Sequence, residues 1–189
     1  MRPIDSRAAR RVGLVVFDVD GVLTDAGIYW TDPLEGEARG VRRFDVRDGM
    51  GIHMLRRADI PVALVSGKHS PAVRARGREL GIDEVHQVPP ARKVDVVREL
   101  LESRSLGWDE AACLGDDLPD LALLRRVGFP AAVADATREV AEVARWRSSA
   151  RGGHGAVREF AEGLLRGRGQ WTELVEEYVA ESEPESAAG

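Results

Sequence analysis

Short apolar runs alternate with segments of helical periodicity along most of the chain. Four runs have the length and continuity of strands that are buried on both faces. They span residues 12–17, 61–65, 111–114 and 129–133. The helix candidates between them lie near residues 48–57, 69–80, 91–104 and 117–126. Strands that alternate with helices predict an α/β fold with a doubly wound parallel sheet.

The clearest helical periodicity lies near the C-terminus. Apolar residues recur at i, i+3, i+4, i+7 and i+8 from Val157 and again from Trp171. The stretch from Glu181 to Gly189 is acidic and rich in small residues, and we expect it to be disordered. We predict a single domain over residues 1–180, followed by this tail at 181–189.

One segment, at about residues 27–46, interrupts the alternation of strands and helices. Ile28-Tyr29-Trp30 precedes the turn signals Asp32-Pro33 and Gly36, and a second apolar stretch follows. This pattern predicts a β-hairpin arm inserted after the first strand. Tyr29 and Trp30 either form contacts with a partner or pack on the domain itself, and the pattern favours neither.

Bulk composition narrows the class of protein. The chain has 189 residues, 43% of them hydrophobic and 31% charged, as in ordinary globular domains. A net charge of −5 argues against nucleic acid as a partner. No apolar stretch is long enough for a membrane span, and the arginine-rich N-terminus contains no apolar signal segment. We expect a cytoplasmic protein, in which Cys113 is a buried apolar residue.

Two aspartates end the first apolar run, in the sequence Phe17-Asp18-Val19-Asp20-Gly21. Side chains at i and i+2 of a strand point to the same face, so the two carboxylates lie side by side. At ~4 Å and an effective dielectric of ~20 their repulsion is about 4 kcal/mol. A divalent cation is the usual compensation, so we predict a metal site here.

Three further polar segments follow apolar runs or begin helices. In a parallel sheet the carboxyl ends of the strands form a ligand crevice, so we expect these segments to lie there. They are Ser66-Gly67, Lys93, and Gly115-Asp116-Asp117-Leu118-Pro119-Asp120. Each alone has a structural explanation: a turn, a salt bridge, or the cap of a helix. Lys93 is the least ordinary of them, because a cation near a helix N-terminus opposes the helix dipole.

Taken in order, these segments resemble the haloacid dehalogenase superfamily of phosphatases, over about residues 12–165. Within it the chain is most similar to the 3-deoxy-D-manno-octulosonate 8-phosphate (KDO 8-phosphate) phosphatases. Supporting stretches are Val46-Arg47-Asp48-Gly49, Leu80-Gly81-Ile82, Val133-Ala134-Asp135-Ala136 and Gly152-Gly153-His154-Gly155-Ala156-Val157-Arg158-Glu159. One departure is Ala26, since the family commonly has Thr-Asp-Gly where this chain has Thr24-Asp25-Ala26.

The resemblance implies a mechanism in which Mg²⁺ is an obligatory cofactor. Asp18 would take the phosphoryl group, and Asp20 would protonate the leaving sugar oxygen and then activate water. Ser66 and Lys93 would donate to the phosphoryl oxygens. Mg²⁺ would be held by Asp18, the backbone carbonyl of Asp20, and Asp116.

The resemblance also implies the surroundings of the site. Asp117 and Asp120 would lie in the outer sphere of the metal. The expected substrate-binding residues are Ser66, Gly67, Lys68 and Arg76. Lys68 and Arg76 would contact the sugar acid, although two solvated cations on a helix surface remain an open alternative.

The expected reaction is therefore release of phosphate from KDO 8-phosphate in lipopolysaccharide precursor synthesis. Two alternatives are a phosphatase of nonulosonate 9-phosphates and a non-catalytic oligomerisation domain. A receiver domain is disfavoured, because its acceptor aspartate lies on a later strand than the first acidic pair. The spacings from Asp20 to Ser66 and from Ser66 to Lys93 leave no room for a globular lid. We therefore expect a hairpin from a neighbouring chain to cover the site, and the resemblance implies a homotetramer whose hairpins pack together.

Overall fold

The computed structural model of this protein describes residues 3–31 and 40–182. Numbered along the chain, the strands are β1 (Leu14–Phe17), β2 (Tyr29–Trp30), β3 (Gly40–Val41), β4 (Val62–Ser66), β5 (Glu84–Gln87), β6 (Ala111–Gly115), β7 (Phe129–Ala132) and β8 (Trp146–Arg147). The α-helices are α1 (Ser6–Arg11), α2 (Val46–Arg57), α3 (Pro71–Glu79), α4 (Lys93–Glu102), α5 (Leu118–Leu124), α6 (Arg138–Val143), α7 (Ala156–Arg168) and α8 (Trp171–Ser182).

Six strands form one sheet in the order β5-β4-β1-β6-β7-β8, and every neighbouring pair is parallel. The pattern of apolar runs therefore predicted the fold class correctly. Alternate residues of β1 enter two different cores: Val15 and Phe17 pack in one, Leu14 and Val16 in the other. Apolar side chains on both faces of the sheet are what a doubly wound architecture requires.

The two cores are built by different helices. Side chains from α1, α2, α7 and α8 contribute to the core on the first face, and side chains from α4, α5 and α6 to the core on the second. The periodicity that begins at Val157 produces a buried stripe with Phe160 and Leu164. Gly169, whose φ is +79°, caps the C-terminus of α7. The predicted C-terminal helices are thus confirmed.

The predicted hairpin corresponds to the antiparallel pair of β2 and β3, in which Tyr29 faces Val41. Its tip, residues 32–39, lies outside the described residues, and so do residues 183–189 of the predicted tail. The described residues between β1 and β4 form the two hairpin strands and α2, and those between β4 and α4 form α3 and β5. Neither part contains a lid domain.

Over residues 3–31 and 40–182, no helix combines the length and the apolar character that crossing a bilayer demands.

Candidate active site

The predicted polar segments meet at the carboxyl ends of three central strands. Asp18 follows β1, Ser66 ends β4, and Asp116 follows β6. β1 lies between β4 and β6, where the strand order reverses, which is the usual position of a ligand crevice in such sheets. A cavity of about 250 Å³ opens there, lined by acidic residues together with Gly67, Lys68 and Lys93.

Lys93 is the centre of the arrangement. It is the first residue of α4, its side chain is almost fully buried, and its amino group lies 2.5 Å from Oδ1 of Asp18 and 2.7 Å from Oδ1 of Asp120. These charge-assisted bonds explain why the fold tolerates a cation at a helix N-terminus. The structure thus confirms the predicted proximity of Asp120 to Lys93.

Several buried or half-buried carboxylates surround the single ammonium group of Lys93. The pKa values of Asp18, Asp116 and Lys93 are shifted. Burial raises the pKa of Asp18 to about 7, with the charge of Asp120 adding to the effect and Lys93 opposing it. Burial likewise raises the pKa of Asp116 to about 8, assisted by the charges of Asp18 and Asp120. Burial lowers the pKa of Lys93, but the charges of Asp18 and Asp120 outweigh this effect and raise it.

Asp18, Asp116 and Asp120 form a cluster that fits a metal ion, since oxygen atoms of all three lie within 4.8 Å of one another. Both oxygens of Asp120 already accept hydrogen bonds, from Lys93 and from the backbone N–H of Asp116. Asp18 and Asp116 are therefore better placed to contribute ligands, and their hard oxygens suit Mg²⁺. Asp117 caps α5 by accepting from the N–H of Leu118.

Asp20 lies beside this cluster rather than in it. Its Oδ1 accepts a hydrogen bond of 2.6 Å from Nε of Arg42, and its Oδ2 accepts a long one of 3.4 Å from Oγ of Ser66. Sequence reasoning missed Arg42, which belongs to no motif and lies at the end of the hairpin. The spacing of Asp18 and Asp20 predicted their shared location but not the separate partners of their side chains.

The predicted substrate-binding residues separate into two groups. Gly67 and Lys68 line the cavity, and buried Ser66 lies just beneath them. Arg76 is not among the residues that line it. Instead its Nη2 donates to the backbone carbonyl of Asp45, and its guanidinium lies over the ring of Phe44. The face of α3 that carries Arg76 packs on the start of α2. The predicted contact of Arg76 with the sugar acid stays a prediction.

The glycine-rich loop at residues 152–155 packs against the residues that follow Asp20. Gly152 packs so closely on Gly21 that a Cβ at Gly152 would overlap the carbonyl oxygen of Gly21. Thr24 is fully buried, accepts from the N–H of Gly21 and donates to the carbonyl of Val19. His154 bonds the carbonyl of Gly152, as expected of a turn residue.

Known proteins resemble this chain in sequence and in fold. A family model described as haloacid dehalogenase-like hydrolase matches residues 88–158. The 3-deoxy-D-manno-octulosonate 8-phosphate phosphatase KdsC of Escherichia coli strain K12 is 35% identical over 165 residues, which cover 87% of this chain and 85% of the relative. The enzyme of the same name from Haemophilus influenzae is 37% identical, with coverage of 84% and 86%.

The chain belongs to the KDO 8-phosphate phosphatase family of haloacid dehalogenase-like hydrolases. Members of this family are phosphoric monoester hydrolases. The crystal structure of the family member from Moraxella catarrhalis, in complex with a magnesium ion, a phosphate ion and KDO, superposes with a TM-score of 0.85. The two sequences are 29% identical, and the match covers 92% of this chain and 97% of the other. The acidic cluster at the ends of β1 and β6 agrees with a magnesium site in this family.

Proposed function

We propose that this chain hydrolyses KDO 8-phosphate to KDO and inorganic phosphate, with Mg²⁺ as its cofactor. The observation that carries the proposal is buried Lys93, bonded to Asp18 and Asp120 beside Asp116 at the carboxyl ends of the sheet. The names of the relatives supply the substrate. KDO released in this way would serve lipopolysaccharide precursor synthesis.

The reaction has two halves. A carboxylate oxygen of Asp18 attacks phosphorus, and the bond between phosphorus and the sugar oxygen breaks to give an aspartyl phosphate. Asp20 gives its proton to the leaving sugar oxygen. As a carboxylate, Asp20 then takes a proton from the water that attacks phosphorus, which releases phosphate and restores Asp18.

Lys93 and Ser66 stabilise the charge of the phosphoryl group during both halves. An ammonium group has three donors, and the bonds to Asp18 and Asp120 use two of those of Lys93. The third is available to a phosphoryl oxygen. A donor held in place by two buried carboxylates needs no reorganisation when the substrate reacts.

We assign the Mg²⁺ ligands to Asp18, Asp116 and the backbone carbonyl of Asp20, with Asp117 and Asp120 in the outer sphere. When bound, Mg²⁺ supplies positive charge that offsets the phosphate dianion and the surrounding carboxylates. Asp120 holds Lys93 and the N–H of Asp116, and Asp117 caps α5. These two residues thereby fix the elements that present the ligands.

Lys68 is the cation that we assign to the carboxylate of the sugar acid, because it lines the cavity next to the nucleophile. Arg76, whose side chain faces Asp45 and Phe44, adds no second cation to this lining. A nonulosonate 9-phosphate therefore stays a second candidate substrate, since one lysine suits the carboxylate of either sugar acid.

The first prediction concerns the reaction itself. Phosphate release from KDO 8-phosphate, nonulosonate 9-phosphates and simple sugar phosphates is measured with Mg²⁺ and with EDTA. We expect Mg²⁺-dependent turnover with the highest kcat/KM for KDO 8-phosphate. Asp18→Asn removes the nucleophile and is expected to lower kcat by at least ~10⁴-fold.

The matched control is Glu102→Gln, a carboxylate at the exposed end of α4. It is expected to leave kcat unchanged. A folded wild-type protein that releases no phosphate from any ester would support the non-catalytic alternative. Preference for a nonulosonate 9-phosphate would replace the substrate but keep the chemistry.

A further inference from the structure

Arg42 is an arginine of the hairpin arm whose side chain is nearly buried, although the strands of that arm are exposed. It directly follows β3, and only 10% of its side chain is accessible. Nε donates to Oδ1 of Asp20 over 2.6 Å, and Nη1 donates to Oγ of Ser70 over 2.9 Å. The guanidinium therefore bridges the residue that we assign as acid and base to the start of α3.

Ser70 is a rigid anchor for the other end of this bridge. It is buried, its N–H donates to the side-chain carbonyl of Gln87 over 3.1 Å, and its carbonyl accepts from the amide of Gln87 over 2.8 Å. Gln87 belongs to β5, so Arg42 is tied through Ser70 to the edge of the sheet. A guanidinium held at two points has few orientations available, which fixes the carboxylate bonded to it.

Asp20 needs such a support. The hydrogen bond from Ser66 is long, at 3.4 Å, and the carboxylates of Asp18 and Asp116, which line the same cavity, repel another negative charge. A carboxyl group that protonates a leaving oxygen must hold that oxygen within hydrogen-bond reach in the transition state. Without Arg42 the described contacts of the Asp20 side chain reduce to the bond from Ser66.

We propose that Arg42 is a positioning residue that holds the Asp20 carboxyl group in line with the leaving oxygen and then with the attacking water. The inference rests on the proposed function, in which Asp20 is the acid and the base. It makes the hairpin arm a working part of the proton-transfer apparatus. Arg42 touches neither phosphorus nor metal in this scheme and acts only through Asp20.

The test compares leaving groups that do and do not need a proton. In Arg42→Met we expect kcat for the sugar phosphate to fall about 100-fold, with KM nearly unchanged, because proton donation is lost. With p-nitrophenyl phosphate the phenolate departs without a proton, so the first half of the reaction should slow less than tenfold. The second half still needs Asp20, so a burst of p-nitrophenolate should precede slow turnover.

Two further variants provide controls. Arg43→Met removes a cation from the same arm. The guanidinium of Arg43 donates to the carbonyl of Gly153 and not to Asp20. This variant is expected to show no burst and less than a threefold change in kcat. Arg42→Lys keeps the positive charge, so its kcat should be at least tenfold higher than that of Arg42→Met. If Arg42→Met does not fold, as judged by circular dichroism, Arg42→Lys decides by the same comparison of substrates.

Equal losses for both leaving groups, without a burst, would overturn the inference and show that Arg42 binds phosphate or merely anchors the arm. An Arg42→Met enzyme as active as the wild type would overturn it as well, while leaving the proposed function intact. Absence of phosphatase activity in the wild type is a different result, because it removes the proposed function.

Discussion

Lys93 is tolerated in the interior because two carboxylates accept its hydrogen bonds. Removing one partner of such a buried pair costs about 3–5 kcal/mol, since the remaining charge is left without compensation. The same burial that makes the lysine costly to place also makes it effective, because charges interact more strongly away from water. Asp18 and Asp120 thus stabilise the cation that we assign to phosphate binding.

The raised pKa values of Asp18 and Asp116 lead to a prediction about pH and magnesium. In the metal-free protein these values are about 7 and about 8, against 3.8 for an ordinary aspartate carboxyl group. The folded state therefore binds protons that the unfolded state has released, and the free energy of unfolding should decrease as pH rises from about 4 to 8. Mg²⁺ must displace these protons, so its affinity should rise ~tenfold per pH unit for each one.

Thermal unfolding with EDTA and with Mg²⁺, at pH 6 and at pH 8.5, measures both effects. We expect the stabilisation by Mg²⁺ to be larger at pH 8.5 and to disappear in Asp116→Asn. An equal shift of Tm at the two pH values would contradict the assigned ligands.

Part of the site could be predicted from the sequence and part could not. Asp18, Ser66, Lys93 and Asp116 were expected together because each follows an apolar run or opens a helix, and parallel strands bring their carboxyl ends to one edge. Arg42 was not predicted, because its partner Asp20 is 22 positions away in the sequence. The sequence pattern of the hairpin does not determine how the hairpin folds back toward Asp20. The position of Arg76 outside the cavity lining could not be predicted, because helical spacing does not tell which way a helix face turns.

At the level of elements, the apolar runs located the central strands within about two residues. The apolar runs do not include β5, because its residues, Glu84 to Gln87, are mostly polar and only half-buried at the edge of the sheet. β8 has two residues, and α1 and α6 have six each, which is too few for periodicity to be visible. Tertiary contacts, not local pattern, decide such short elements.

The contact between the glycine-rich loop and the loop after β1 leads to a prediction for Gly152→Ala. The added Cβ overlaps the carbonyl oxygen of Gly21, so one of the two loops must move. We expect a loss of about 1–3 kcal/mol in stability. We also expect a lower kcat, because Gly21 adjoins Asp20. Thermal unfolding and phosphate release measure the two effects.

The matched variant is Gly169→Ala at the end of α7. Gly169 has a φ of +79° and no other atom within 4 Å of an added Cβ, so only backbone strain of about 1–2 kcal/mol is introduced. Its kcat should equal that of the wild type. If Gly152→Ala retained full kcat despite a similar loss of stability, the loop contact would not influence Asp20.

At the scale of the whole molecule, the described part of the hairpin arm carries four exposed apolar side chains. Ile28, Tyr29 and Val41 are about half accessible, and Trp30 is 69% accessible. Contiguous exposed aromatic and aliphatic groups are typical of protein interfaces. We therefore keep the proposal of a homotetramer whose hairpins pack together.

The corresponding prediction concerns Trp30→Asp. A buried charge in the interface should dissociate the tetramer and lower its mass in solution about fourfold at micromolar concentration, by light scattering. Val179→Asp, an equally drastic change at an exposed position of α8, should not change the mass. A wild-type protein that scatters as a monomer would rule out the assembly.

The ion pairs of Lys93 join parts of the chain that are 75 and 27 positions apart. Formation of this centre must wait until the first strand, the fourth helix and the fifth helix have all docked on one sheet. Long-range pairing of this kind is slow compared with local helix formation. The rate at which catalytic turnover returns after dilution from denaturant therefore measures the last stage of folding. Intermediates that contain helices but not this centre have no activity and do not contribute to the signal.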